Sequence, residues 1–315
     1  DVYAFKTSKI KIIETNISWV ILTGKYAYKI KKSVKLNFID TSTKQKRDYY
    51  CKEEIRVNSK LSNNLYLGIS KVVLNKSKIK IIDNYHSIKD LQGYKEIESA
   101  IKMNEFKQEK LLVNYLNQNK LEEEILERFA YILSKFHIES KPADPSSEFC
   151  LPENILRAIK ENIEIIINPK AREYYYKGIE EIDTWIEENK RRFINLTTRR
   201  IEKGAIRECH GDLHLGNLYI NCDGELEAFD SIDFNPILRW IDPISEVCFF
   251  YMDLFVNNHS IYAINFLNRW LENTGDYTGI ELWNLYSVYR SLVKIKVSIM
   301  KNKDLSSKKE KNEDI

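Results

Sequence analysis

His210-Gly211-Asp212-Leu213-His214-Leu215-Gly216-Asn217 is the stretch on which the reading of this chain turns. It gathers three titratable side chains and a carboxamide within eight residues, a density unusual for sequence that only joins elements. A short apolar run follows, Leu218 to Asn221, then Cys222-Asp223-Gly224, whose Asp-Gly pair favours a turn, and then Leu226-Glu227-Ala228-Phe229-Asp230. A hairpin across that turn brings Asn217 and Asp230 to the same end.

A carboxylate beside a carboxamide oxygen suits Mg²⁺, a hard cation bound through one or two protein oxygens plus phosphate oxygens and water. Asp212, five residues before Asn217, is then left to act as a base. An aspartate base, an asparagine five residues on and a metal aspartate beyond a hairpin form the pattern of the phosphoryl-transfer site of kinases. The rival reading of Gly-Asp-Leu-His as part of a dinuclear metallophosphoesterase lacks its further ligand motifs, and His86 and His137 belong to other segments. No Walker A pattern occurs, since Gly24-Lys25 is followed by Tyr26 and has no earlier glycine at the required spacing.

Outside this stretch the pattern changes from strands to helices. Lys9 to Glu14, Ser18 to Thr23, Tyr26 to Lys31, Ser70 to Leu74, Lys78 to Asp83 and Glu96 to Met103 are β-branched or aromatic runs separated by turn signals, with Gly24-Lys25 closing a hairpin. Thr41 to Leu61 interrupts them with helical spacing and offers Thr41 or Ser42 as its cap. From Phe106 the apolar period becomes that of a helix, as in Ile125, Leu126, Phe129, Ile132, Leu133 and Phe136. Further helices are expected over Ile155 to Ile167, Arg172 to Asn195, Tyr262 to Glu272 and Leu282 to Met300, with a solvated tail from Ser306.

Composition supports a folded, non-membrane protein. With 315 residues the chain is long enough for one bilobal unit or two small domains, and 43% hydrophobic with 30% charged residues disfavours disorder. No apolar run approaches the roughly 20 residues that span a bilayer. Asp1-Val2-Tyr3 opens without a charged or apolar leader, so no signal peptide is expected in the stretch given, and a missing N-terminus stays open. Five scattered cysteines without a Cys-x-x-Cys pair fit a reducing cytoplasm. A net charge of only +3, with Glu310, Glu313 and Asp314 diluting the C-terminal lysines, argues against nucleic acid as a partner.

His210 to Asn217 resembles the catalytic loop of the aminoglycoside phosphotransferase and choline-kinase-like family. Glu14 to Lys32, which contains Ala27-Tyr28-Lys29-Ile30, and Arg239-Trp240-Ile241-Asp242 resemble an uncharacterised bacterial branch of that family, whose members often carry a separate P-loop domain absent here. The likeness runs from about Glu14 to Met300. It implies an α+β, two-lobed protein-kinase-like fold: an N-terminal antiparallel sheet plus one helix over residues 1–104, and a mainly helical lobe over 105–305 with an acceptor-pocket insertion at 138–209. It also implies transfer of the γ-phosphate of Mg-ATP to a hydroxyl of a small molecule, either aminoglycoside-like or another amino or sugar alcohol.

Residue by residue, the resemblance makes Asp212 the catalytic base and Asn217 and Asp230 the Mg²⁺ ligands. Lys29 becomes the third-strand lysine that reaches the ATP phosphates, with Lys31 and Lys32 as rivals; strand alternation puts Lys29 and Lys31 on one face and Lys32 on the other. Glu54 is its ion-pair partner and Glu53 the competitor one position away. Met103, with Asn104 and Phe106, falls where adenine meets the hinge, or else in ordinary core joining the lobes. Glu246, near Asp242, stands in for an aspartate that anchors the catalytic loop, Asp233 is either a second acid near the metal or a turn residue, and His210 and His214 organise the loop. Glu161, Glu164, Glu180, Glu181, Asp183, Glu187 and Glu188 in the insertion either recognise a cationic acceptor or form solvated helix faces.

Two departures matter. Ile13-Glu14-Thr15-Asn16-Ile17-Ser18 replaces the glycine-rich loop, leaving Ser18 and backbone amides as phosphate contacts and keeping open a catalytically degenerate nucleotide- or partner-binding module. Only a dozen residues separate Asp230 from Asp242, too few for the peptide platform of a protein kinase.

Overall fold

The computed structural model describes residues 2–7, 10–36, 39–83, 93–167 and 172–313, without the side chains of 172–177 and 301–313. His86 lies outside the described residues. The chain divides into two compact units, one reaching to Phe136 and including His210–Arg239, the other His137–Cys209 with Trp240 onward.

The first unit is built on a sheet. Strands β1 (Lys11–Glu14), β2 (Ser18–Leu22) and β3 (Tyr26–Lys31) are followed by the short pair β4 (Lys35–Leu36) and β5 (Ile39–Asp40), helix α1 (Lys44–Asn58), and strands β6 (Tyr66–Asn75), β7 (Lys78–Ile82) and β8 (Lys95–Asn104). Six of them form one antiparallel sheet in the order β1-β2-β3-β8-β6-β7. Gly24, at φ +87°, makes the β2–β3 turn possible, and the Glu105 carboxylate accepts the amides of Thr23 (2.9 Å) and Gly24 (2.7 Å). One face of the sheet carries the core of Tyr28, Val72, Ile81 and Ala100, onto which Tyr3 and Phe5 pack.

Helix α1 interrupts the sheet as expected, but its cap is Thr43, whose hydroxyl accepts from the Lys46 amide. Thr41 and Ser42 precede the cap position, and their hydroxyls donate instead to the Lys32 carbonyl (2.6 Å) and the Asp40 carboxylate (2.6 Å). The buried residues of α1 are Cys51, Glu54, Val57 and Asn58, the three-and-four spacing of one helix face. The unit is completed by α2 (Leu112–Asn117), most of α3 (Glu123–Glu139) and a two-stranded hairpin of β10 (Leu218–Ile220) and β11 (Leu226–Ala228).

The second unit is mainly helical. It holds α4 (Asn154–Ile166), α5 (Arg172–Glu202), strand β9 (Arg207–Glu208) paired with β12 (Trp240–Ile241), and α6 (Pro243–Val256), α7 (Ser260–Thr274) and α8 (Trp283–Glu313). Helix α4 buries Leu156, Ile159, Ile163 and Ile166 along one stripe. Helix α6 packs against α7 and α8, with Phe250 edge-on to Phe266 at 4.6 Å between ring centres. No separate helix is expected from the sequence over α6, and α8 continues through the stretch expected as a tail to Glu313. No helix among the described residues is long and apolar enough to cross a membrane.

Candidate active site

The loop from His210 to Asn217 is shaped by its glycines and histidines. Gly211 sits at φ +88°, and a Cβ there would come within 2.8 Å of the Leu238 carbonyl oxygen, so no other residue fits without moving backbone. The Nδ1 of His210 accepts from the Asp212 amide (3.3 Å), which places its proton on Nε2, donated to the Phe229 carbonyl (2.9 Å). The Nδ1 of His214 accepts from the Gly216 amide (3.0 Å), and a Cβ on Gly216 would lie 2.9 Å from the His214 ring. Both histidines organise the loop, as the sequence suggests.

That framework presents Asp212 and Asn217 together. The Asn217 Nδ2 donates to the Asp212 carbonyl (3.0 Å) and to its carboxylate (3.2 Å), which turns the amide oxygen of Asn217 away from Asp212. The Asp212 side chain is 38% exposed, with His214 Nε2 3.5 Å from its Oδ2.

The hairpin places Asp230. Leu218 lies opposite Ala228, and the Phe229 amide donates to the Asn217 carbonyl (2.9 Å), so Asn217 and Asp230 leave the hairpin at the same end. A buried carboxylate, Glu227, braces it by accepting from Tyr219 Oη (2.7 Å), Ser62 Oγ (2.8 Å) and Asn221 Nδ2 (3.0 Å). Asp230 itself holds a left-handed backbone at φ +62°, a conformation that costs about 1–3 kcal/mol in a residue with a side chain and that clusters at functional sites. Its amide donates to Tyr66 Oη (3.3 Å), and the next amide, Ser231, donates to Asn58 Oδ1 on α1 (2.8 Å).

Lys29, Glu54 and Asp230 meet. The Lys29 ammonium lies 2.8 Å from Glu54 Oε1 and 2.7 Å from Asp230 Oδ1. The other Glu54 oxygen accepts from Lys31 (2.8 Å), whose ammonium also reaches Asp233 Oδ2 (2.6 Å). Exposure grades across the group: the Glu54 side chain is 1% exposed and that of Asp230 is 52%. Burial alone would raise the Glu54 carboxyl, but Lys29 and then Lys31 hold it down at about 2. Burial likewise opposes charge on Lys29, yet Asp230 and Glu54 keep its ammonium well above the ordinary lysine range. Burial pushes the Tyr66 hydroxyl well up, so it remains protonated beside Asp230.

The competing residues point elsewhere. Glu53 pairs with Arg239 (2.6 Å) and Arg56 (2.6 Å) rather than with a strand lysine, and Lys32 pairs with Glu14 (2.5 Å) and lies over Trp19. Met103 lies opposite Ala27 on β3 and Tyr66 on β6, on the Lys29 face of the sheet. Phe106 stacks on Tyr219, with ring centres 4.4 Å apart. In the second unit Asp242 caps α6 and takes Arg200 through both oxygens (2.7 Å each), while Glu246 accepts from His137 Nε2 (3.0 Å). The seven acids of the insertion are all exposed on α4 and α5; a cleft of about 220 Å³ between these helices is lined by Asp183 and Glu187, but equally by Arg157, Lys160 and Lys190.

Asn58 and Tyr66 escaped the sequence reading. Nothing local marks either, because each acts on a loop more than 160 positions away. A buried trio, His137, Cys209 and Glu246, brings possible metal-ligand atoms within 4.8 Å of one another. Trp270 Nε1 donates to His137 Nδ1 (3.0 Å), so Nε2 carries the proton shared with Glu246 and both ring nitrogens are spent on hydrogen bonds. That trio is a hydrogen-bonded core.

No known family profile matches the chain. Uncharacterised proteins of Mycobacterium tuberculosis and Mycobacterium bovis are each 25% identical to it over 299 residues, covering 93% of this chain and 55% of theirs. The chain thus spans about half the length of the curated relatives it matches. Among solved structures, the GDP complex of aminoglycoside 2'-phosphotransferase-IIIa superposes with a TM-score of 0.51 at 14% identity, covering 95% of this chain and 88% of that one. A choline kinase from Cryptosporidium parvum reaches 0.49 at 15% identity over 91% and 81%. The first of these shows the fold to be the α+β, protein-kinase-like one that the resemblance implies.

Proposed function

We propose that this chain is a small-molecule kinase of the aminoglycoside phosphotransferase and choline-kinase-like family, moving the γ-phosphate of ATP to a hydroxyl of its acceptor. The observation that carries the reading is the Lys29 ammonium held 2.8 Å from Glu54 and 2.7 Å from Asp230, in the same compact unit as the Asp212–Asn217 pair. A lysine so held supplies a fixed positive charge for the phosphates. Leu22 and Met103 lie opposite Ala27 in the sheet and share its face with Lys29, giving an apolar surface for a purine ring. An open cavity of about 570 Å³ adjoins Leu22 and Phe106.

The residues also fit a divalent cation. Asp230 is half exposed, and its strained backbone is the kind retained for function. Asn217 commits only its amide nitrogen to Asp212, so carboxylate and carboxamide oxygens, the hard donors Mg²⁺ takes, are both on offer. Bound there, Mg²⁺ would neutralise charge on the phosphate oxygens.

Asp212 then has a defined task. Its carboxylate, oriented by Asn217 and His214, accepts the proton of the acceptor hydroxyl as that oxygen bonds to the γ-phosphorus. The bond from the γ-phosphorus to the β,γ-bridging oxygen breaks, ADP leaves, and the proton passes from Asp212 to water. Most of the rate comes from positioning and charge complementarity. The likeness to an aminoglycoside phosphotransferase makes aminoglycosides, and amino alcohols like them, the acceptors to try first. Five free cysteines, four of them buried, fit a reducing cytoplasm.

One observation favours a degenerate nucleotide-binding module instead. The β1–β2 turn contains no glycine and is closed by Thr15, whose hydroxyl accepts from the Ser18 amide (2.9 Å). Incubation with γ-labelled ATP, Mg²⁺ and a panel of aminoglycosides, choline-like amines and sugar alcohols separates the two. Label transferred to an acceptor by the wild type and lost in Asp212→Asn supports the kinase; nucleotide binding with no transfer to any acceptor favours the module.

A further inference from the structure

We infer that Lys31, not only Lys29, sets the nucleotide affinity of this protein, as a positioning residue that fixes the Glu54 carboxylate on which Lys29 is seated. The inference rests on the kinase reading above and adds a second buried ion pair to it.

Glu54 has two oxygens and two ammonium partners, one for each. Lys29 takes Oε1 at 2.8 Å, and Lys31 takes Oε2 at 2.8 Å. A glutamate held through a single oxygen can still turn about its terminal torsions. Held through both oxygens from two successive same-face positions of β3, its carboxylate plane is fixed. Strand alternation makes this possible, since Lys29 and Lys31 project from the same face two residues apart.

The two lysines differ in what lies beyond them. Lys29 is 13% exposed and leads to the half-exposed Asp230, a pairing that a phosphate oxygen and a cation can replace. Lys31 is 2% exposed and leads to Asp233, itself 6% exposed, a pairing sealed from water. When Lys29 turns from Asp230 toward a phosphate, Glu54 is its remaining anchor, and Lys31 keeps that anchor in place. Asp233 lies three residues after Asp230, so the sealed arm also ties α1 and β3 to the metal-binding loop, alongside the Asn58 bond to Ser231 and the Glu53–Arg239 pair.

Charge gives a second argument. Glu54, Asp230 and Asp233 against Lys29 and Lys31 leave this group with one negative charge in excess. Removing Lys31 would leave three carboxylates, two of them buried, against the single ammonium of Lys29, which low-dielectric surroundings penalise heavily. Burial pushes the Asp233 carboxyl upward and only partly loses to Lys31, so this aspartate depends on its lysine to stay charged.

Lys31→Met alone leaves Asp233 buried and unpaired and can prevent folding. Lys31→Met combined with Asp233→Asn removes both charges of the sealed arm and leaves Lys29, Glu54 and Asp230 intact. Titration calorimetry with Mg-ATP is expected to show this double variant binding about tenfold more weakly than wild type. In a Glu54→Gln background the same pair of changes should alter affinity less than about twofold, because the residue through which Lys31 acts is already disabled. Phe266→Leu, in the core of the helical unit, controls for stability: it should lower the unfolding midpoint and leave the Mg-ATP affinity unchanged. A folded double variant that binds Mg-ATP as tightly as wild type overturns the inference, as does an equal loss in both backgrounds. Wild-type protein that binds no Mg-ATP overturns the kinase reading itself, and the role of Lys31 with it.

Discussion

Both compact units bury carboxylates against cations, and they finish those clusters differently. In the helical unit Arg200 grips Asp242 through two hydrogen bonds and also pairs with Asp276, and Glu246 is closed by His137, whose other nitrogen is closed by Trp270. The Asp242 and Glu246 side chains are 0% exposed. In the sheet unit the cluster begins equally sealed at Lys31, Glu54 and Asp233, but it ends at Asp230, 52% exposed and on a strained backbone, with Asp212 at 38%. A closed polar cluster adds rigidity at best, since the desolvation of its charges nearly cancels their attraction. A cluster that is rigid at one end and open at the other holds oxygens ready for something not yet bound.

That contrast can be tested from its largest consequence downward. Asp212→Asn, at the open end, should lower phosphate transfer by about a thousandfold while Mg-ATP affinity stays within a small factor. Steady-state kinetics beside calorimetry check this, and an equal loss of both would move Asp212 from the acceptor to the metal. Arg200→Ala, in the sealed cluster, should do the reverse: leaving Asp242 buried and unpaired costs about 3–5 kcal/mol, a fall of roughly ten degrees in the unfolding midpoint, with Mg-ATP affinity retained at temperatures where the variant is folded.

Between those extremes, Glu54→Gln should weaken Mg-ATP binding by about tenfold, whereas Glu53→Gln, which pairs with Arg239 and Arg56 and not with a strand lysine, should change stability and not affinity. Matching losses in the two variants would erase the distinction between the helix faces. The sealed arm should also appear in acid. The Glu54 carboxyl is depressed from 4.5 to about 2 on folding, so the stability it contributes is complete above about pH 4.5 and disappears as the pH falls toward 2. Asp233, shifted the opposite way, works against this loss, and Glu54→Gln should flatten the acid limb of a stability profile followed by circular dichroism. Glu187→Gln, on an exposed helix face, should change stability by less than about 0.5 kcal/mol and leave affinity untouched.

How far the sequence could reach depended on distance along the chain. The segment from His210 to Asp230 was legible because its chemistry is compressed into one loop and one hairpin, and Lys29 was legible from its place on a strand with a clear alternation. Glu54 could be separated from Glu53 only by the helix face that α1 buries, which the sequence narrows to two candidates. Helix α6 was missed because its first eight residues are all buried, leaving no polar face to set up a helical period. Strand β6 begins four residues before the expected run because Gly68, at φ +135°, sits at a bulge that breaks the alternation. Asn58, Tyr66 and the Lys31–Asp233 pair join positions more than 160 residues apart, and no local pattern reports such pairings.

The most direct test of the account is thermal unfolding with and without Mg-ATP, in wild type and in Asp230→Asn, a substitution that keeps the size of the side chain and tolerates the left-handed backbone. A ligand at a hundred times its dissociation constant stabilises by about 2.7 kcal/mol, several degrees at this chain length. The expected result is that shift in wild type, dependent on magnesium and lost in Asp230→Asn. A wild type unmoved by Mg-ATP, or an Asp230→Asn variant stabilised as much as wild type, would contradict it.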